Sequence, residues 1–528
     1  MNFPEYFEKW FGISKPGIGS RLARGAFWSL LGTLIYRPLT LLSSIVAAHL
    51  LGKENFGALG IIQSTIAMFQ VIAGYSLGLT ATKYVSEFRK ADPERAGRII
   101  GMSDVSSLAA GILFAAGSIF GAHWLAARIL GAPELAPLLR ISSIMIALGA
   151  YNGAQTGTIS GFEAFRKIAK VNLISGVLAF PIMIAGLWFG GLTGAVWALV
   201  ISMAVTCTLS QIEVLRLIRA NGIKIHITGI ASELQLLWRF YLPALLSGAL
   251  VTPIIWLGNT LLVRTRDGFA QMAILNAATQ WRTSMMLIPN LLVQVALPML
   301  SGEQSEAGTT QTFNRALVLT QKIMVMVAFP TAAAMMFLAG PIMRLYGRSF
   351  VQGSDVLIGF ACASLVQCII AAVGPYLESR GRMWAAASLN GVWGLAYILT
   401  AYLGVDKLGA LAIAFGSVLG YVVLMVLCLI LLRSELPGTV MNLAIKAEIA
   451  ALALAAFCVI LPPKIRTILA IPVTLGVTAM VIFNSTGKEI FLKVFSRNHG
   501  GKPKKPQGPY ELDLAAKAST LTDNQTGS

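Results

Sequence analysis

Long apolar stretches, each closed by a few turn-forming or charged residues, follow one another along nearly the whole chain. Fourteen are long enough, or nearly so, for a helix to cross a ~30 Å hydrocarbon core. They lie at about 27–51, 56–82, 99–121, 138–160, 171–190, 193–215, 241–263, 270–299, 322–343, 355–378, 384–403, 408–432, 445–461 and 467–485. Short breaks such as "LGKENFG", "GGLTG", "SRGRM" and "LPPKIR" separate them. The pattern predicts an all-α polytopic membrane protein of about fourteen transmembrane helices. The first apolar run is too long for a signal-peptide core and is expected to stay as the first span.

Composition agrees with this reading. The 528 residues are 56% hydrophobic and 12% charged, against about 25% charged in soluble chains. The net charge of +18 is explained by its distribution. With an even number of spans, both termini share one side, and that side carries 29 of the 41 basic residues against 10 on the other. The positive-inside rule then places both termini in the cytoplasm, and no nucleic-acid partner is expected. The five cysteines sit singly in apolar runs without ligand spacing, so free thiols, no metal and no cofactor are expected. At the N-terminus, Phe3, Tyr6, Phe7, Trp10 and Phe11 recur at helical spacing, as in a short interfacial helix. The Gly/Pro/Lys-rich stretch from Ser496 predicts a disordered cytoplasmic tail.

The chain also resembles itself. "FWSLL" at Phe27 matches "FYLPA" at Phe240, "ENFGALGII" at Glu54 matches "DGFAQMAIL" at Asp267, and "TGAVWALVIS" at Thr193 matches "LGALAIAFGS" at Leu408. "KVNLISGV" at Lys170 likewise matches "AASLNGV". Offsets of about 213–215 with six spans between copies mean a parallel repeat, a known transporter plan with the site between the halves. The expected division is an interfacial segment at 1–24, an N-lobe at 25–220, a C-lobe at 221–436, two extra spans at 437–490 and the tail at 491–528.

Polar residues inside the spans are the candidate chemistry. Ser29, Thr33, Arg37, Thr40 and Ser44 share one face of span one, with Arg37 at mid-depth beside Pro38. A charge there costs roughly 2.5–3.5 kcal/mol on insertion scales. It either faces a wet, substrate-binding surface or bonds neighbouring carbonyls within one lobe. Gln63, Ala67, Gln70 and Gly74 share a face of span two, and Asn276, Gln280, Thr283, Asn290 and Gln294 share a face of span eight. Arg282 lies about 120° from that stripe. Thr252, Asn259 and Arg266 share a face of span seven. Interhelical hydrogen bonding is the alternative for the stripes on spans two and eight. Asp104, near one end of span three, is the clearest candidate to carry an ion, though a shallow acid among serines is more often structural. No loop is long enough for a catalytic domain, and no Walker A, GxSxG or HExxH motif occurs, so no enzymatic activity is expected.

"WSLLGTLIYRPLTLLSSIVAAHLLGKENFGALGII", with "GLTATKYVSEFRKADPERAGRII" after it, resembles the start of Wzx-type oligosaccharide flippases. These are polysaccharide transporters of the multidrug/oligosaccharidyl-lipid/polysaccharide exporter superfamily. The resemblance is strongest over residues 24–105 and extends through the span plan to about 485. It implies two MATE-like six-helix lobes whose first two helices line a central cavity, here spans 1, 2, 7 and 8. It also implies alternating-access movement of undecaprenyl-diphosphate-linked oligosaccharide across a bacterial inner membrane, for O-antigen, capsule or exopolysaccharide. Candidate partners are that polyprenyl-diphosphate-linked oligosaccharide, the lipid bilayer, and polysaccharide polymerase or export proteins. Within the cavity so located, Arg37, Arg282, Thr33, Gln63, Gln70, Asn259, Asn276, Gln280 and Asn290 are the expected substrate-binding residues. A lipid II flippase or a multidrug antiporter of the same fold is the alternative. A drug antiporter needs acids in the cavity, whereas the mid-span charges here are arginines.

Overall fold

A computed structural model describes residues 18–225, 250–287, 310–371, 382–433 and 438–483, with isolated positions between them. The aromatic segment at 3–11, the tail beyond 483 and Asn290 lie outside the described residues, as does the side chain of Thr33. Every described element is helical. Helix Ile18–Ala91 is two helices, α1 (18–51) and α2 (53–91), joined at Gly52 with φ +73°. α3 spans Pro93–Leu130 and α4 spans Pro133–Gly161. Helix Phe165–Ala220 is again two, α5 (165–190) and α6 (192–220), joined at Gly191. α7 (Val251–Val263), α8 (Gly268–Met285) and α9 (Thr310–Phe337) follow. Then come α10 (Arg348–Ile370), α11 (Met383–Leu408), α12 (Ala410–Leu431), α13 (Gly438–Ile460) and α14 (Pro463–Phe483). Among the described residues, eight helices are long and apolar enough to cross a membrane, two of them the paired helices divided at Gly52 and Gly191.

Helix starts follow local chemistry. Asp92 caps α3 by accepting from the Arg95 amide at 2.9 Å, and Pro93 occupies the first turn, where its missing N–H costs nothing. The outer surface is apolar: Phe120, Trp188 and Phe189 stand 87%, 76% and 88% exposed, a surface that suits lipid and not water. Inside, small residues let backbones touch. Gly149, Gly153, Gly157 and Gly161 form a four-residue ladder on α4, which packs against Gln70, Gly74, Gly78 and Val85 of α2.

The internal repeat is visible in the packing, at a register three residues from the sequence match at Thr193. A Cβ at Gly176 would collide with Tyr36 of α1, and one at Gly394, 218 residues later, would collide with Ile254 of α7. Gly191 (φ +52°, ψ −129°) and Gly409 (φ +56°, ψ −132°) make the same bend at the same 218-residue spacing. Apolar text slides easily by three or four residues along a helix, because every third or fourth position shares a face. The positive-φ glycine, which no other residue adopts cheaply, fixes the true register. α1, α2, α4, α5 and α6 pack together, and so do α7, α8, α10, α11 and α12, while α13 and α14 pack on α9 and α10. The two groups meet along a seam made chiefly by α2 against α8 and α7.

Candidate functional site

The seam is closed at one end. Phe56 of α2 packs against Tyr346 and Phe350, with ring centroids 6.0 and 6.2 Å away. A Cβ at Gly57 would strike the Phe269 carbonyl, so the two backbones touch. About two turns further in, Asn259 donates to Ser64 Oγ at 2.8 Å and Trp256 Nε1 donates to Thr65 Oγ1 at 3.0 Å. Both bonds join opposite groups of helices.

Next to these contacts lies a cavity of about 270 Å³. α2 contributes Gln63 and Ser64, α7 contributes Thr252 and Asn259, and α8 contributes Asn276, Thr279 and Arg282. Phe360, Trp393 and Tyr397 supply an aromatic wall, and among the described residues no carboxylate lines the cavity. Arg282 is held from behind. Its Nε donates to Ser364 Oγ at 3.3 Å, and one terminal nitrogen donates to Gln367 Oε1 at 3.0 Å and Tyr421 Oη at 3.2 Å. The guanidinium also lies 5.6 Å from the Phe360 ring centre. Every partner is neutral, and among the described residues no carboxylate comes within 4 Å of it. The site therefore presents a fixed positive charge, flanked by amides and hydroxyls, with no anionic side chain among the described residues that line it. An anion with neighbouring hydroxyl groups is what such a site can hold.

Of the expected binding residues, the structure brings Gln63, Asn259, Asn276 and Arg282 to this cavity. Arg282 reaches it although its Cα lies off the α8 stripe. Arg37 does not line the cavity. Its Nε donates to Ser284 Oγ at 3.0 Å, and one terminal nitrogen donates to the Gln280 carbonyl at 2.8 Å and the Gln280 amide oxygen at 3.4 Å. It bonds α8 across the seam rather than carbonyls of its own lobe, and it is half-buried outside the lining of this cavity. Gln280 is thus a partner of Arg37 and not a cavity residue. Gln70 donates to the Met145 carbonyl at 2.7 Å and belongs to the α2–α4 packing, because the α4 glycines bring that backbone within reach. Of the other described side chains of the α1 stripe, Thr40 Oγ1 donates to the Arg37 carbonyl and Ser44 Oγ is buried.

Asp104 lies on α3, away from the cavity. Its Oδ1 is buried with no hydrogen-bond partner. Close by is a polar network between α4 and α6: Tyr151 donates to Gln211 at 2.9 Å, Gln155 donates to Gln211 at 2.8 Å, and Asn152 donates to Ser210 at 3.0 Å. This network, Trp393, Tyr397 and the bracing groups Ser364, Gln367 and Tyr421 were not singled out from sequence. Lone polar residues in apolar helices carry no signal of the neighbour they will meet. The five cysteines are unpaired and buried.

Comparison with known proteins gives the family. Residues 22–304 match the family described as "Polysaccharide biosynthesis protein". The EPS I polysaccharide export inner membrane protein EpsE of Ralstonia nicotianae is 25% identical over 394 residues, covering 72% of this chain and 85% of that protein. The succinoglycan biosynthesis transport protein ExoT of Rhizobium meliloti is 27% identical over 204 residues, 38% of this chain and 37% of its own. Among solved structures, a multidrug resistance MATE family transporter in the inward-facing conformation superposes with a TM-score of 0.65 at 16% identity, over 79% of this chain and 99% of its own. A MOP superfamily transporter from Pyrococcus furiosus gives 0.60 at 17% identity, over 83% of this chain and 96% of its own. The helical architecture is therefore MATE-like, and its relatives are polysaccharide export and transport proteins. The chain belongs to the polysaccharide biosynthesis protein family.

Proposed function

We propose that the protein is an oligosaccharide flippase. It moves a polyprenyl-diphosphate-linked glycan across the plasma membrane by alternating access between its two lobes. The observation that carries this reading is the interlobe cavity, with Arg282 at its wall, amides and hydroxyls around it and no carboxylate among the described residues that line it. The diphosphate pairs with Arg282, and Gln63, Asn259 and Asn276 bond sugar hydroxyls, while the polyprenyl tail stays in lipid. A cationic drug has no counter-charge here, which disfavours an antiporter of cations. Lipid II carries the same diphosphate, so a lipid II flippase remains the second reading.

Both termini lie in the cytoplasm in this proposal, so the Phe56 end of the seam faces outward and the closed seam corresponds to an inward-facing state. Asp104 is proposed as the ion-coupling group, since it is a buried carboxyl among polar groups of one lobe. Polymerase or export proteins act on the glycan afterwards.

The test is glycan export in cells, normalised to membrane-protein level. Arg282→Ala is expected to cut export by at least about tenfold, the lower range for losing a hydrogen-bonded charge partner. Arg282→Lys retains part of it, because charge survives without the planar fork. Arg282→Glu abolishes it. Normal export by Arg282→Glu at normal abundance excludes the reading.

A further inference from the structure

Glu448 is the eleventh of the 23 residues of α13, which puts it at mid-depth of the span. It is 8% exposed, and its Oε1 is buried with no hydrogen-bond partner. It shares the buried face of the helix with Ala444, Ala447 and Ala451, which offer no polar side chain. α13 packs chiefly against α10 and α9. Arg348 of α10, Lys322 of α9 and Lys446 of α13 are the cations of these elements whose side chains are described, and none comes within 4 Å of the carboxyl. Lys446 is exposed and only two residues away, a spacing at which helical side chains do not face each other. Arg466, in the first turn of α14, is engaged by Asp355 at 3.6 Å and by the Cys458 carbonyl at 3.2 Å.

An isolated carboxylate at such depth is costly, and a carboxyl avoids the cost with a cation or with a proton. The described surroundings supply no cation. The titratable group that faces Glu448 is Cys362 of α10, itself 1% exposed. Its thiol donates to the Ala451 carbonyl at 3.8 Å, about one turn from Glu448, so α10 and α13 touch at this level. The other side of α10 serves Arg282. Ser364 and Gln367, which bond Arg282, and Phe360, which lies against its guanidinium, stand roughly 140–160° around the helix from Cys362. A single helix thus separates a buried, unpartnered carboxyl from the cation at the cavity wall.

We propose that Glu448 carries a proton, as a second coupling group in addition to Asp104, and that α10 links its protonation to the Arg282 site. The neutral carboxyl packs between α13 and α10 in the arrangement described. When the proton leaves to water, the carboxylate requires hydration, and α13 parts from α10 at mid-depth to admit it. The groups that brace Arg282 ride on α10 and shift with it. Proton release at Glu448 and the hold on the substrate anion are then linked through one helix. The link rests on the flippase reading; the proton exchange at Glu448 does not.

Two measurements on full-length protein test this, each with Glu448→Gln, which is neutral at every pH, and Glu448→Asp, which keeps a carboxyl. The first is infrared difference spectroscopy in lipid nanodiscs over a pH series. The wild type is expected to show a protonated-carboxyl band that Glu448→Gln lacks and that disappears as the pH rises. A band of Glu448 that persists over the whole series overturns the proposal, because the group is then permanently neutral and structural. Identical spectra for the wild type and Glu448→Gln also overturn it, because Glu448 then takes up no proton. The second is the distribution of a polyprenyl-diphosphate-linked oligosaccharide between the leaflets of proteoliposomes under a pH gradient. Each coupled proton displaces this distribution about tenfold per pH unit. Glu448→Gln is expected to lose one such factor, and Glu448→Asp to keep it. A displacement in Glu448→Gln equal to that of the wild type overturns the link while leaving the flippase reading intact. A wild type that moves no lipid-linked glycan removes the flippase reading and the link with it, while the infrared series still decides whether Glu448 exchanges its proton.

Discussion

At the scale of single residues, two arginines held at depth have different tasks. Arg282 is braced by neutral groups and turned to a cavity; Arg37 joins α1 to α8. Sequence spacing made them look alike, since each is a cation in an apolar helix without a nearby acid. What separates them is a partner about 245 residues away in sequence, which no periodicity reports. The same reason explains why Gln63, Asn259 and Asn276 were legible as a polar lining and Gln70 was misassigned. A helical face is readable from spacing, but the element it meets is not. Trp393 and Tyr397 were hidden differently, because aromatic residues in apolar helices look like ordinary core. The seam role of Arg37 has a measurable consequence. Arg37→Ala removes charge-assisted bonds worth about 2 kcal/mol in total, so the ratio of closed to open seam should drop roughly thirtyfold. Cysteines introduced at Ser64 and Asn259, in a chain otherwise free of cysteine, should then react faster with a polar thiol reagent in Arg37→Ala than with Arg37 present. Equal reactivity would remove Arg37 from the seam's energetics.

Elements were the most legible scale. Each of the fourteen apolar stretches falls at least partly on a described helix, and the breaks at "LGKENFG" and "GGLTG" coincide with the positive-φ glycines Gly52 and Gly191. The repeat was legible as a fact but not in its register, for the sliding reason given above. Gly409 shows why the glycine decides. Its φ of +56° with ψ of −132° is a conformation other residues rarely adopt, and a Cβ there would also approach the Gln271 side chain at 2.7 Å. Gly409→Ala should cost about 1–3 kcal/mol, the range for a strained backbone position. Gly438→Ala, where a Cβ meets nothing within 4 Å, serves as the control and should be close to neutral. Thermal unfolding in detergent compares the two; equal midpoints would mean that the bend at Gly409 does not depend on glycine.

For the whole molecule, the composition already excluded a soluble protein and the scarcity of deep acids disfavoured a cation carrier. The cavity adds what one-dimensional patterns lack, namely that Arg282 and the amides of α2, α7 and α8 converge. Both lobes supply polar walls, but the charge and the aromatic rings come from one side. An amphiphile bound there would be gripped by the α7–α12 group and only brushed by α2. In the proposed alternating-access cycle, the substrate would travel with the former. The most direct measurement is translocation by purified protein in liposomes, using a polyprenyl-diphosphate-linked oligosaccharide and the same glycan on a neutral lipid. The account predicts movement of the diphosphate-linked glycan only, slowed at least about tenfold by Arg282→Gln without loss of folded protein. Equal movement of the neutral lipid, or an Arg282→Gln variant as fast as the wild type, would contradict it.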